Sequence, residues 1–327
     1  MRRDALAGHH KICGAGLDLF SDDDLFLLHS ATLDILQNTG IKVISEEAQD
    51  IYIGLGARFD SKKQIIYITP KMVEDALHAA PNAVLLCGRN PKNDVFLYGK
   101  KVTFTNFGEG IKVVDPKTRI AKESTKKDVA DATRICDAME NIAVYERALG
   151  ADEVPPKVQS IHNAEAIFHN TTKHAFIGAG CGRNIKAIIK MAAAIQGGYE
   201  NLRKRPIYSP LCCPNSPLSL NPDTTEVIIE AAMAGIPMNV LSMALSGGTG
   251  PVTLAGTLVV HNAEVLAGLV LAQAVNPGNP FIYGSSTTMM DLRLTTAGVG
   301  APELGMISAA VAKMAQFYHL PSWVAGG

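Results

Sequence analysis

Cysteine is scarce in this chain of 327 residues: Cys13, Cys87, Cys136, Cys181, Cys212 and Cys213 are scattered, with no CxxC pair and no HExxH run nearby. That spacing excludes a disulfide framework and a structural zinc site, and no metal ligands are expected. Adjacent Cys212 and Cys213 read as one buried and one partly buried thiol. Charge of one sign is also missing, since 30 basic residues face 31 acidic ones for a net charge of −1. Broad attraction for nucleic acid or an anionic membrane is therefore not expected. No run approaches about 20 apolar residues free of charge, so no membrane span is predicted. The opening "MRRDALAGHHKICG" lacks an apolar segment with a small-residue cleavage site behind it, which predicts no signal peptide and a cytoplasmic protein. There is no GK[ST] and no complete GxGxxG.

What is present is 47% hydrophobic and 19% charged residues, the balance of a folded globular chain. "SDDDLFLLHSATLDILQNTG" opens with a cap and an acidic first turn and closes on Gly40, so a helix is predicted. "SEEAQDIYIGLG" repeats that grammar, "ARFDSKKQIIYIT" reads as a hairpin, and "PKMVEDALHAA" is a further helix. A stretch punctuated by Gly and Asp follows, from "AVLLCGRN" to "RIAKEST", and suggests antiparallel strands. From about residue 125, helices and short strands alternate. Predicted strand ends near residues 180, 213, 245, 286 and 325 lie 33, 32, 41 and 39 apart, close to one βα unit each. Strands ending in "GAGCGRN", "LCCPNSP", "SGGTGP" and "GSSTTMMD" favour a barrel over a doubly wound sheet, because small and polar residues sit at many strand ends. The expected fold is an α/β (β/α)₈ TIM-type barrel with an N-terminal α+β cap over residues 1–100. Residues 101–327 supply an incomplete barrel that ends near the end of strand 7 and lacks its C-terminal βα portion.

Several segments carry candidate chemistry. In "GAGCGRN", Arg183 stands where a third glycine would be, so its glycines are read chiefly as turn formers, as are those of "SGGTGP". "FIYGSSTT" places Tyr283, Ser285, Ser286 and Thr287 at a strand end, where hydroxyls could line a pocket or cap the next turn. Asn106, Phe107 and Glu109 in "TNFGEG" set an amide, an aromatic ring and a carboxylate on a glycine-framed loop, a combination suited to a cation, with a solvated turn as the bland reading. Glu303 lies in a helix's first turn, where the dipole alone stabilises it. His261 reads as a packed or surface histidine, and His162, His169 and His174 lack ligand spacing.

The long phrases "SPLCCPNSPLSL", "GIPMNVLSMALSGGTGPVTLAGTLVVHNAEVLAGLVLAQ", "YGSSTTMMDL" and "PELGMISAAVAKMAQFYHLPSWVAGG" resemble the trimethylamine:corrinoid methyltransferase family of methanogenic archaea. The likeness covers almost the whole chain and is strongest from about Pro206 onward. It implies a barrel that passes a methyl group from a methylamine to Co(I) of a corrinoid; no cofactor is bound directly, because a separate cognate protein carries the corrinoid. It also implies pyrrolysine immediately after Gly327, which makes the chain a product halted at an in-frame UAG and expected to be inactive. The expected partners are the corrinoid protein and a small methylated amine, with a homo-oligomer left open. Glycine betaine:corrinoid methyltransferases, which lack pyrrolysine, are the nearest alternative. A non-catalytic corrinoid-protein-binding remnant and a barrel enzyme for a phosphorylated metabolite are the other two.

Overall fold

The computed structural model describes residues 20–325, so the expectations for the opening segment and for positions after Ala325 lie outside the described residues. In chain order the elements begin with α1 (Asp22–Asp34), β1 (Ile41–Val43), α2 (Glu46–Gly54), β2 (Arg58–Asp60), β3 (Ile65–Tyr67), α3 (Pro70–Ala79), β4 (Ala83–Leu86), β5 (Val95–Tyr98), β6 (Val113–Val114) and β7 (Ala121–Lys122). There follow α4 (Lys126–Ala138), β8 (Tyr145–Glu146), α5 (Gln159–Asn170), β9 (Ala175–Gly178), α6 (Gly182–Gln196), α7 (Tyr199–Lys204), β10 (Tyr208–Cys212), β11 (Ser219–Leu220) and α8 (Pro222–Ala234). The last are β12 (Met238–Ser242), β13 (Leu245–Ser246), α9 (Leu254–Val275), β14 (Phe281–Ser285), β15 (Thr288–Asp291), β16 (Thr296–Ala297), α10 (Pro302–Phe317) and β17 (Ser322–Val324). This is a mixed α/β fold whose second half alternates parallel strands with helices.

The chain forms two compact units, one holding residues 85–211 and the other residues 20–84 with 212–325. In the first, β8, β9 and β10 pair in parallel, with Tyr208 opposite Ala175 and Glu146 opposite Phe176. The segment before them joins through parallel bridges Phe104↔Ile142 and Gly110↔Leu149, which lay residues 104–110 alongside 142–149. Ile185, Ile188 and Ala192 of α6 and Ala164 and Ile167 of α5 are buried at helical spacing, as an amphipathic helix on a sheet requires.

In the second unit, β12, β14 and β17 pair in parallel, with Val240 opposite Tyr283 and Gly284 opposite Trp323. The α1 cap forms as the sequence predicts: Ser21 and Asp24 make a reciprocal capping box, and three aspartates fill the first turn. The helix then widens into a π-turn over Ile35–Thr39 and stops at Gly40, where φ is +76°. A side chain there would meet Ile65 Cγ2 at 2.5 Å and Ile66 O at 2.6 Å, so only glycine fits. The predicted hairpin is β2–β3, with Arg58 opposite Tyr67 and Asp60 accepting from the Lys62 and Lys63 amides at its turn. Helix α9 is long and apolar enough to cross a membrane by length and composition, yet Thr257–Gln273 are buried within the fold. Each fully buried Leu or Val of α9 contributes about 1.5–3 kcal/mol, and this helix anchors the unit's core.

Candidate functional site

Two of the sequence candidates, Asn106 and Glu109, meet residues that sequence reasoning did not select. Asn106 Nδ2 donates to Glu146 O at 2.7 Å, and Asn106 Oδ1 accepts from Glu146 N at 3.0 Å, so one amide clamps the neighbouring strand from both sides. Glu109 N donates to Arg147 O at 2.9 Å and Gly110 N to Ala148 O at 2.7 Å, which continues the parallel register toward the strand ends. Glu109 itself adopts φ +62°, a left-handed conformation uncommon outside glycine and worth noting at a site. Its carboxylate pairs with the Arg147 guanidinium. Arg147 is mostly enclosed, and its Nε has no partner.

Glu146 lies against Gly108, where an added Cβ would sit 2.3 Å from Glu146 Oε1, so glycine makes room for the carboxyl. Gly178 plays a similar part on β9: its Cβ position is 3.3 Å from Glu109 Oε1. Burial and then the neighbouring Glu109 charge push the Glu146 carboxyl up to about 7, against the lowering influence of Arg147. The result is a glycine-framed pair of carboxylates with one guanidinium at neighbouring strand ends. Phe107, 72% exposed, presents its ring to solvent beside them in sequence. Such a set can neutralise a small cation.

The hydroxyl-rich strand end takes a different place. Tyr283 is fully buried; its hydroxyl donates to Asn262 Oδ1 at 2.6 Å, and His261 Nδ1 lies 3.4 Å away. Asn262 Nδ2 continues to Thr32 Oγ1 and Tyr318 Oη, and Tyr318 Oη lies 2.9 Å from His29 Nδ1, whose Nε2 meets Glu74. Tyr283 thus belongs to a polar network linking β14 to α1, α3 and α9. Ser285 and Thr287 are buried, the first accepting from Thr287 N, and Ser286 N donates to Ser242 O. Glu303 sits half-buried in the first turn of α10, as read from the sequence. His261 is packed: its Nε2 contacts Gly284 O at 3.0 Å, and burial lowers its pKa to about 4. Cys212 is buried and Cys213 exposed.

Glu264, unnoticed in the apolar phrase "VVHNAEVL", is the second unit's buried carboxylate. It accepts from Ser242 Oγ at 2.6 Å, Ser216 Oγ at 2.8 Å and Leu218 N at 2.9 Å, tying the loop after β10 to α9 and β12. A lone acid within an otherwise apolar helix was the available signal. For Glu146 and Arg147 the one local signal was the charged pair "ER" within the otherwise apolar run "IAVYERAL".

Against this geometry stand the similarities to known proteins. A family model described as trimethylamine methyltransferase (MTTB) matches residues 6–327. Trimethylamine methyltransferase MttB of Desulfitobacterium hafniense is 52% identical over 321 residues, covering 98% of this chain and 65% of that protein. The MttB of Methanosarcina barkeri is 45% identical over 331 residues, covering 99% and 67%. A glycine betaine methyltransferase of Desulfitobacterium hafniense is 30% identical over 312 residues, covering 95% and 64%. The chain therefore spans about two thirds of the length of these relatives. In fold it is similar to the crystal structure of the Methanosarcina barkeri monomethylamine methyltransferase, with a TM-score of 0.54 at 11% identity, covering 97% of this chain and 70% of that one.

Proposed function

Because the chain belongs to the trimethylamine methyltransferase family, we propose that it serves methyl transfer from trimethylamine to the Co(I) corrinoid of a separate corrinoid protein. The observation that carries this reading is the family match over residues 6–327 together with 52% identity to a trimethylamine methyltransferase. The parallel βα units are read as part of a (β/α)₈ barrel. The resemblance further assigns the whole protein a pyrrolysine, which would help bind and orient the methylamine.

Trimethylamine is bound as its ammonium form, since the C–N bond can then break with its electron pair returning to nitrogen and neutral dimethylamine leaving. The protein's task is to orient one methyl group, exclude water and manage charge. Glu146 and Glu109 complement the cation, and Arg147 holds Glu109 in place. Asn106 fixes the strand that carries Glu146. Two carboxylates also disfavour a substrate with its own carboxylate, so trimethylamine is preferred over glycine betaine.

The test supplies the whole protein, continued through the pyrrolysine position after Gly327, with trimethylamine, the reduced cognate corrinoid protein and a reductant, then measures dimethylamine and the methyl–cobalt absorbance. Equal amounts of both products are expected. Demethylation of glycine betaine in place of trimethylamine overturns the substrate assignment, and binding of the corrinoid protein without methyl transfer overturns the enzymatic one.

A further inference from the structure

Three ionisable side chains meet at neighbouring strand ends of the first unit, and they are unequally paired. Arg147 is committed to Glu109. Among the described residues, no hydrogen bond reaches the Glu146 carboxylate: Asn106 holds only its backbone, and Gly108 supplies space but no donor. On the other side β9 presents Phe176 opposite Glu146, followed two residues on by Gly178, and neither ionises. The charged groups bearing on Glu146 are therefore Glu109 from one flanking segment and Arg147 from its own strand. With Glu146 ionised the trio carries one net negative charge, and with Glu146 protonated it is neutral. Only the ionised state matches a monovalent cation.

We infer that binding of a methylated ammonium is coupled to release of a proton from Glu146: the carboxyl gives its proton to solvent as the cation arrives, and the trio passes from neutral to singly negative around a singly positive guest. This rests on the reading of the cluster as the amine site. The pKa of Glu146, about 7 in the free protein, means that the proton is present to be released near neutral pH. A cation beside the carboxylate lowers that value, so the affinity for the cation must rise with pH until Glu146 is ionised without help. The half-buried Glu146 carboxylate thus sets the pH above which the site accepts its substrate fully.

Tetramethylammonium is the decisive probe, because it carries no titratable proton and every proton exchanged comes from the protein. Calorimetric titration of the full chain in two buffers of different ionisation enthalpy counts those protons. At about pH 6 the count is expected to approach one per cation bound and to vanish by about pH 8.5, while affinity rises by up to about tenfold per pH unit below 7 and then levels. Glu146→Gln is expected to abolish both the release and the pH dependence. Glu109→Gln removes a charge that holds the proton on Glu146, so release should move to lower pH; this second variant keeps the test decisive should Glu146→Gln fold poorly. Cation binding with no proton released, or with release unchanged in Glu146→Gln, overturns the inference and leaves the amine-site reading standing. Failure of tetramethylammonium and trimethylammonium to bind at any pH overturns the amine-site reading, and the inference with it.

Discussion

Glu264 offers a sharp test of how the second unit is held together, because replacing it by Gln or by Ala removes different things. Its carboxylate accepts three hydrogen bonds, from Ser216 Oγ, Ser242 Oγ and Leu218 N, at 2.6–2.9 Å. Burial nonetheless raises its pKa, so these donors do not fully offset desolvation. Gln keeps the shape: its oxygen can still accept from Leu218 N–H, and its amide can donate to hydroxyl oxygens that rotate to receive it. The expected cost is about 1 kcal/mol, the net value of one neutral hydrogen bond. Ala strands all three donors and opens a cavity beside Ser242, which is fully buried. Unpaired buried donors cost about 1–3 kcal/mol apiece when water cannot reach them, and a large-to-small change adds about 2 kcal/mol or more for its cavity, so at least about 5 kcal/mol is expected in total. Both variants also lose the carboxyl's pH effect. A carboxyl whose folded pKa is raised loses stability as pH climbs from the unfolded range to the raised value, so Glu264→Gln should compare best with wild type at high pH. Urea denaturation at several pH values measures both effects. Equal destabilisation by Gln and Ala would refute the acceptor role assigned to Glu264.

Glu146→Gln should flatten the stability curve of the first unit. The carboxyl rises from 4.5 to about 7, so the folded protein keeps a proton that the unfolded chain has released across that window; wild type loses about 3 kcal/mol as pH rises through it, and the variant does not. Parallel urea-midpoint curves from about pH 4 to 8 would contradict this. Gly284→Ala must displace Asn239, whose Oδ1 lies 2.0 Å from the new Cβ, with Val240 O at 2.9 Å, and should cost about 1–3 kcal/mol in chemical denaturation. Tyr283→Phe should lower stability by about 1–2 kcal/mol, because Asn262 Oδ1 loses its donor, while leaving the KM for trimethylamine unchanged. A large KM effect with normal stability would return Tyr283 to the pocket.

Local grammar made much of the fold legible. The Ser21 to Asp24 box and the Asp60 hairpin turn need only neighbours in sequence, and each appears where its residues suggest. Glu109 was also legible, because glycines frame it. Glu146 and Arg147 were not, because they reach Glu109 only through the parallel register set by Phe104↔Ile142 and Gly110↔Leu149, a pairing no local pattern announces.

The hydroxyl-rich end of β14 shows a second reason, which is strand parity. In a fully buried run such as "FIYGS" no alternation of polar and apolar residues marks which face looks toward the helices. The register decides it. Val240 lies opposite Tyr283, and Val240 packs on Gly268 of α9, so Tyr283 turns toward the helices and into the Asn262 network. Gly284 therefore occupies the other face, in register with Trp323, and Asn239 lays its amide over it with neither polar atom paired. On that face the position with no side chain is the informative one: glycine marks where a neighbour's amide fills the space, while the conspicuous tyrosine beside it is bound into the Asn262 network.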